Sequence, residues 1–373
     1  MDCYGRQSEA DDLWRRFDQG QNVLMLAPRR IGKTVLMNHL LSTAPSHGYR
    51  ALLLNVEGLN DEKEVFRECC AAIQEELSTG KKVMSALSQR LNQLLLGGNK
   101  DADWRSALVQ ADWQDFANHL FSHLNDLSDD QKPWLLLVDE LPIFVQALQA
   151  KSGIDAVSRF LYWLRRVRQK HTNVRWLYAG SIGLDAIARR TNVEGALNDL
   201  HPYTLHPFSE TTASGFLHSI GKKRNCQFEE DSIATIIQRL GWLSPRYLAV
   251  VADDAIALSH NSSVTAASAN ESMDRLLDLD KRLYWSNWRE HIDRNFAEPD
   301  RGRLHSVLAA AAQDPNGVTE DTLTGMLSST SQQELRVLLD VLMNDGYLTR
   351  SKEDRFFFRM NLLREWWLRY VVL

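Results

Sequence analysis

Residues 27–34 read Ala27-Pro28-Arg29-Arg30-Ile31-Gly32-Lys33-Thr34, and this stretch decides the fold. A short apolar run at 22–26 precedes it and predicts a strand, while an apolar segment at 35–41 follows it with helical spacing. The stretch has the spacing of the phosphate-binding loop G-x-x-x-x-G-K-[ST], with Ala27 in place of the first glycine. Because a strand and a helix flank it on the expected sides, a chance match is the weaker interpretation.

In such a loop the backbone N–H groups and the N-terminus of the following helix surround phosphate oxygens. Gly32 allows the backbone to approach the phosphates closely, and Lys33 is expected to reach the β- and γ-phosphates. The Thr34 hydroxyl is expected to ligate Mg²⁺. The residues predicted to bind the nucleotide here are Pro28, Arg29, Arg30, Ile31, Gly32, Lys33, Thr34 and Val35.

Three further apolar runs, at 51–56, 134–138 and 174–181, have the character of buried strands. Long helical patterns lie between them, including those at 61–77 and 82–96. Strands that alternate with helices predict an α/β fold in which helices cover a parallel sheet.

The run at 134–138 ends in the pair Asp139-Glu140. Ligands bind at the carboxyl edge of an open parallel sheet, so this pair is predicted to lie beside the phosphate loop. Asp139 is expected to hold Mg²⁺ directly or through water, and Glu140 to orient and deprotonate an attacking water. Glu140 makes hydrolysis of ATP the favoured reading over binding alone. A solvated pair of charges at a strand end is the weaker alternative.

The strand-like runs stop after 206–208, and the rest of the chain shows two patterns. Residues 209–295 read as consecutive helices. From 297, three helical segments precede a charged turn, an aromatic run at 356–358 and a last helix, which suggests a winged helix. The predicted domains are a P-loop ATPase core at 1–207, a helical lid at 208–296 and a winged-helix domain at 297–373.

The composition limits the classes of protein, and the cellular locations, that we expect for this chain. Hydrophobic residues make up 44% and charged residues 24% of the 373 residues, and the net charge of −5 gives no overall reason to expect nucleic acid. No apolar stretch reaches the ~18–20 residues of a membrane span. The chain begins without a basic-then-apolar signal, so a cytoplasmic location is expected. The four cysteines lack zinc-ligand spacing and are predicted to be buried, reduced thiols.

Together these motifs resemble the archaeal-type ATPases of the STAND/AAA+ superfamily of P-loop NTPases, relatives of origin-recognition ATPases, over nearly the whole chain. Residues 27–34 are similar to the family's GPRRxGKT loop, and residues 363–367, Leu-Arg-Glu-Trp-Trp, resemble its tail motif. Residues 4–9, Tyr-Gly-Arg-Gln-Ser-Glu, resemble the segment F-x-G-R-x-x-E, which packs near adenine. The resemblance therefore implies that Tyr4 and Arg6 contact the nucleotide.

The resemblance implies further nucleotide contacts later in the chain. Ser181 matches the serine of the GS pair that ends the family's fourth strand, which makes it a candidate sensor of the γ-phosphate. Residues 241–247, Gly-Trp-Leu-Ser-Pro-Arg-Tyr, resemble the lid sequence G-G-x-P-R-Y. In that lid Pro245 would touch adenine and Arg246 would act as a second sensor, although an ordinary helix start with a surface arginine is the alternative.

The sequence gives weaker evidence for two further functional roles, a coupling residue and an arginine finger. Asn55 or Glu57, at the end of the second strand, is a candidate for coupling ligand sensing to Glu140. The family often carries an arginine finger shortly before its fifth strand, but residues 195–200 contain no arginine here. Arg189 and Arg190 lie somewhat earlier and are the candidates for stabilising charge on the γ-phosphate, against an alternative of solvated cations at a helix end.

The resemblance implies a Mg²⁺-dependent ATPase that binds ATP or ADP. Its nucleotide state would control domain arrangement or assembly, in signalling or defence against phage. A protein partner or effector is expected, a homo-oligomer is an option, and no membrane is expected.

Two other functions stay open. A DNA-binding ATPase of the origin-recognition or transposition type would use the winged helix and the basic clusters at 165–171 and 222–224. DNA is not favoured, because the predicted groove-reading helix at 331–345 carries three acidic residues and a single arginine, Arg336. The other alternative is a scaffold that binds nucleotide without hydrolysing it.

Overall fold

The computed structural model describes residues 3–78, 113–126, 132–180, 184, 188, 191–259 and 262–372. The predicted helix at 82–96 lies outside these residues. The chain divides into two compact units, and neither is a continuous stretch. The first unit comprises Met1–Leu26 and Lys33–Thr204, and the second comprises Ala27–Gly32 and Leu205–Leu373. Most of the predicted phosphate loop therefore belongs to the second unit, whereas Lys33 and Thr34 belong to the first.

Parallel strands form the sheet of the first unit. They are β1 (Asn22–Leu26), β2 (Arg50–Asn55), β3 (Trp134–Asp139), β4 (Val174–Gly180) and β5 (Leu200–Thr204). Their order across the sheet is β2-β3-β4-β1-β5, which confirms the predicted α/β fold. The strands predicted from apolar runs agree with the structure to within one residue. β5 has no such run, because Leu200 alone of its residues is buried.

Several α-helices accompany this sheet, and the bounds of six of them are described. They are α1 (Gln7–Asp18), α2 (Lys33–Thr43), α3 (Glu62–Ser78), α4 (Trp113–Asp126), α5 (Leu141–Ser152) and α6 (Ile154–Lys170). Their apolar residues recur at three- and four-residue spacing, as in α1, where Leu13, Trp14 and Phe17 are buried. The helices predicted at 8–18, 35–41 and 61–77 are confirmed.

The core of the first unit centres on β3, all six residues of which are buried. Trp163 of α6 meets Phe66 of α3 edge to face, with ring centroids 5.0 Å apart, and Trp113 of α4 stacks on Phe66. Cys69 also lies in this core, and burial raises the pKa of its thiol to about 12. The predicted burial holds for Cys69, Cys70 and Cys226, whereas Cys3 is partly exposed.

An internal ion pair fixes the chain ahead of β5. The side chain of Arg168 in α6 is only 1% exposed, and its guanidinium donates to both carboxylate oxygens of Asp199 at 2.7 Å. It also donates to the carbonyl of Ala196 at 2.8 Å. Burial acts against the charged form, but Tyr178 and Asp199 outweigh it, so the pKa of Arg168 lies above its ordinary value. Within the basic cluster at 165–171, Arg168 is therefore a buried, internally paired residue and is not available at the surface to contact DNA.

The second unit is mainly helical at first. Its helices and short strands to residue 295 are α7 (Glu210–Lys223), β6 (Gln227–Phe228), α8 (Glu230–Leu240), α9 (Pro245–Leu258), β7 (Ser263–Val264), α10 (Ala266–Arg275) and α11 (Leu283–Asn295). The predicted run of helices is confirmed, but the expectation that strands end before this region is wrong. β6 and β7 pair in parallel, and two-residue strands are too short to show an alternating pattern.

The remainder of the second unit combines helices with an antiparallel sheet. Its elements are α12 (Asp300–Gln313), β8 (Val318–Thr319), α13 (Glu320–Met326), α14 (Gln332–Asn344), β9 (Leu348–Arg350), β10 (Arg355–Phe358) and α15 (Asn361–Trp367). The strand order is β8-β10-β9. Trp366 and Trp367 are buried, and Trp367 packs edge to face on Tyr347. The predicted boundary between a lid and a winged-helix domain stays a prediction.

Within the described ranges, no helix combines the length and the apolar character that a membrane crossing requires.

The Arg168 ion pair gives a test of the fold. Substitution Arg168→Ala should lower the free energy of unfolding by about 2–4 kcal/mol, because it leaves Asp199 and a backbone carbonyl without their buried donor. Arg166→Ala, on the exposed face of the same helix, should change it by less than about 0.5 kcal/mol. Urea unfolding of both variants measures the difference. Equal, small effects would mean that the buried pair contributes nothing.

Candidate functional site

The carboxyl ends of four neighbouring strands meet at one edge of the first unit's sheet. Asn55, the last residue of β2, pairs in register with Asp139, the last residue of β3. Leu26, the last residue of β1, pairs with Gly180, the last residue of β4. Polar residues at these strand ends are therefore held as neighbours by the register of a buried parallel sheet, as predicted for Asp139.

A direct hydrogen bond joins the two predicted Mg²⁺ ligands. The Thr34 hydroxyl donates to one carboxylate oxygen of Asp139 at 2.9 Å, across 105 positions of sequence. The other oxygen of Asp139 accepts the backbone N–H of Glu140 at 3.0 Å. Asp139 is 4% exposed and Lys33, next to Thr34 in the first turn of α2, is 6% exposed. A hydroxyl and a carboxylate are oxygen ligands of the kind that Mg²⁺ prefers, so this pair fits the ion.

Glu140 has a left-handed backbone, with φ 59° and ψ 30°. This conformation costs a residue other than glycine about 1–2 kcal/mol. Pro142, in the first turn of α5, lies against Gly180, and a Cβ at Gly180 would stand only 2.3 Å from the Cδ atom of Pro142. The same Cβ would lie 3.6 Å from Oε2 of Glu140. Gly180 thus leaves the space in which the Glu140–Pro142 turn is placed.

The residues proposed for coupling lie at the same edge. The side-chain oxygen of Asn55 accepts the backbone N–H of Glu57 at 2.9 Å, so it closes a local turn. Whether Asn55 or Glu57 couples ligand sensing to Glu140 stays a prediction.

The loop at 27–32 has two left-handed residues in its backbone. Arg30 has φ 64° and Gly32 has φ 98°. Left-handed residues in a loop turn successive N–H groups towards one side and so create a concavity that suits anions. Glycine adopts this conformation without strain, whereas Arg30 needs support from its surroundings.

Other residues of the second unit contact this loop, which belongs to the same unit. The Ser244 hydroxyl donates to the carbonyl of Arg30 at 2.6 Å, and the Arg30 guanidinium lies 5.8 Å from the centre of the Tyr247 ring. Burial raises the pKa of Tyr247, which therefore stays a neutral phenol. Pro28 is buried beside Gly346, where an added Cβ would stand 2.6 Å from the Cβ of Pro28.

The remaining predicted nucleotide contacts occupy varied environments. Arg6 is 3% exposed and forms an ion pair with Glu9 at 2.6 Å, and Tyr4 is partly buried. Pro245 begins α9, and Arg246 beside it is exposed. Val35 is partly buried in the first turn of α2. Their roles towards a nucleotide stay predictions. Ser181, Arg189 and Arg190 lie outside the described residues.

Three features of the site have no counterpart in the sequence patterns. They are the left-handed turn at Glu140, the contact of Gly180 with Pro142, and the bond from Ser244 to the loop. A glycine as the last residue of a buried strand, such as Gly180, is a weak signal of close approach. The serine before Pro245 reads as an ordinary helix cap, so nothing in the sequence links it to Arg30.

Comparisons with known proteins agree with this fold. The profile of the AAA-like domain family matches residues 6–95. A Walker-type ATPase of Pyrococcus abyssi superposes with a TM-score of 0.68 at 19% identity, covering 99% of this chain and 96% of its own. The ORC2 protein of Aeropyrum pernix, solved in ADPNP–ADP complexes, gives a TM-score of 0.56 at 13% identity, covering 98% and 92%. The comparison with curated proteins found no match. The chain therefore has the fold of the P-loop nucleoside triphosphatases.

Gly180 provides a test of how the acidic turn is placed. Gly180→Ala should destabilise the protein by about 1–3 kcal/mol, because the new methyl group overlaps the rigid ring of Pro142. Gly325→Ala is the matched control, since no atom outside its own helix lies within 4 Å of a Cβ at that position. Thermal unfolding of both variants would show a lower midpoint for Gly180→Ala only. An unchanged midpoint for Gly180→Ala would show that the Glu140–Pro142 turn can shift to accommodate the methyl group without loss of stability.

Proposed function

We propose that this chain is a Mg²⁺-dependent ATPase whose nucleotide state controls the arrangement of its domains. The observation that carries the proposal is the bond from Thr34 to Asp139, with Glu140 directly after it at the carboxyl edge of the sheet. A phosphate loop alone would support only binding. An acidic pair in which one carboxylate engages the loop's threonine and the next residue supplies another carboxylate supports hydrolysis.

In this proposal each group has one task. Thr34 and Asp139 would hold Mg²⁺, which supplies charge neutralisation for the phosphates when bound. The loop N–H groups and the Lys33 ammonium would bind the phosphate oxygens. Glu140 would accept a proton from the attacking water. Its strained backbone supports this role, because backbone strain is often found where the placement of a side chain serves function.

The switch follows from how the loop is held. Residues 27–32 contact Ser244 and Gly346 within the second unit. A bound phosphate would contact the backbone of the same loop. The phosphate would therefore make different contacts in conformations that place the loop differently. Such differential contact is what allows a ligand to shift a conformational equilibrium. A partner or effector would read that shift, and a role in signalling or phage defence rests on resemblance alone.

The C-terminal elements α12 to β10 have the order that we assign to a winged helix. DNA binding through it is the weaker alternative, because three of its arginines have hydrogen-bond or ion-pair partners within the fold. Arg336 pairs with Glu320 at 2.8 Å, and Arg355 donates to backbone carbonyls and to Asp314 at 3.3 Å. Arg359 is partly buried and donates to the carbonyl of Leu348. These residues are poorly placed to neutralise phosphates.

Two substitutions test the hydrolytic mechanism. Lys33→Ala should abolish binding of a fluorescent ATP analogue, because it removes the cation that engages the phosphates. Glu140→Gln should retain binding but lower phosphate release by at least about 100-fold, as expected on loss of a general base. Lys222→Ala, an exposed lysine of α7, is the control and should match the wild type.

Turnover in both variants at the wild-type rate would refute the mechanism. Binding by the wild type without phosphate release at any protein concentration would favour the scaffold. A specific activity that rises with protein concentration would show that a second copy completes the site, as an arginine finger from Arg189 or Arg190 requires.

The DNA alternative has its own test. Fluorescence anisotropy with a duplex oligonucleotide at about 50 mM salt should show no saturable binding, since phosphate contacts are strongest at low salt. Adding ATP should not change that result. Saturable binding that weakens steeply with salt, and that is lost in Lys352→Ala, would instead support a DNA-binding hairpin.

A further inference from the structure

The serine that precedes α9 does not act as the helix cap that its position suggests. Ser244 is the N-cap residue of α9, yet its side chain accepts no hydrogen bond from the first turn of that helix. Serine is common at this position because its oxygen normally accepts such a bond. Ser209, at the same position of α7, does so and accepts the N–H of Thr212 at 3.1 Å.

Ser244 instead directs its hydroxyl at the loop. Its side chain is completely buried, and the hydroxyl donates to the carbonyl of Arg30 at 2.6 Å. The residue that it contacts is the one non-glycine residue of the 27–32 loop with a positive φ. A residue held in that region persists only where its surroundings fix it.

The first turn of α9 is itself rigidly anchored. The Tyr247 ring stacks on Trp285, with centroids 5.1 Å apart and an interplanar angle of 8°. The Tyr247 hydroxyl accepts the indole N–H of Trp288, and both tryptophans are buried. Ser244 therefore donates from a fixed platform, and the Tyr247 ring faces the Arg30 guanidinium from the same turn.

We infer that Ser244 is a positioning residue for nucleotide binding: its hydroxyl holds Arg30 in the left-handed conformation that forms the phosphate cradle. The inference rests on the proposed function, because it assumes that the loop binds phosphates. Loss of the hydroxyl would let Arg30 return to its preferred right-handed or extended conformations, and the cradle would have to be rebuilt on binding. Nucleotide affinity would fall although no group that touches the nucleotide has changed.

The test is a double-mutant cycle on residues 244 and 30, read out as the dissociation constant of a fluorescent ADP analogue. Ser244→Ala should weaken binding about three- to tenfold, the effect expected from one hydrogen bond. Arg30→Gly gives residue 30 free access to a positive φ. In the Arg30→Gly background, Ser244→Ala should therefore cost less than about twofold.

Ser209→Ala is the matched control, because it removes an N-cap serine that does cap its helix. It should lower the melting temperature and leave the dissociation constant unchanged. Ser244→Gly removes the same hydroxyl, and glycine is better tolerated than alanine at a helix N-cap, so it replaces Ser244→Ala in the cycle if that variant does not fold.

The outcomes separate the two proposals. If the wild type binds no nucleotide, the proposed function fails. If the wild type binds and Ser244→Ala binds equally well, Ser244 has no positioning role. An equal loss in the wild-type and Arg30→Gly backgrounds would also overturn the inference, because it would show that Ser244 acts without reference to the conformation of residue 30.

Discussion

The left-handed backbone at Arg30 and Gly32 is the constraint on which the rest of the structure depends. It determines where the loop's N–H groups point, and therefore whether the loop can surround an anion. The chain enters the loop from β1, whose register with β4 and β5 is fixed, and leaves it into α2. The buried Ser244 hydroxyl supports the Arg30 carbonyl within this loop, where the backbone of Arg30 is in a sparsely populated region.

A second strained residue follows the same rule. Glu140 occupies a left-handed conformation that glycine or asparagine would adopt at lower cost. Its N–H is tied to Asp139, and Gly180 leaves the space for the turn that follows. The structure therefore holds a carboxylate in an unfavourable backbone by packing it against a neighbouring strand, an arrangement that is common where position serves chemistry.

Much of this could be predicted from periodicity and spacing. Buried strands such as β1 and β3 are continuous apolar runs, and the loop and its acidic partner have the residue types that phosphate and Mg²⁺ require. The features that could not be predicted depend on contacts between residues that are distant in the sequence, or on secondary-structure elements that are too short to show a pattern. Arg168 and Asp199 are 31 residues apart, and nothing in the sequence shows that the fold buries the Arg168 side chain against the Asp199 carboxylate. β5 lacks an apolar run because its neighbour β1, not its own side chains, keeps it in the sheet.

The strand order has a consequence for how the protein is made. β1 is the first strand among the described residues, yet its partners are β4 and β5, which end at Gly180 and Thr204. At synthesis rates of about 5–20 residues per second, its apolar residues therefore wait on the order of 10–30 seconds for a neighbour. During that interval the nascent chain exposes an unpaired strand edge, which favours aggregation. Demand for chaperones should thus be highest in the interval between the synthesis of β1 and that of β4.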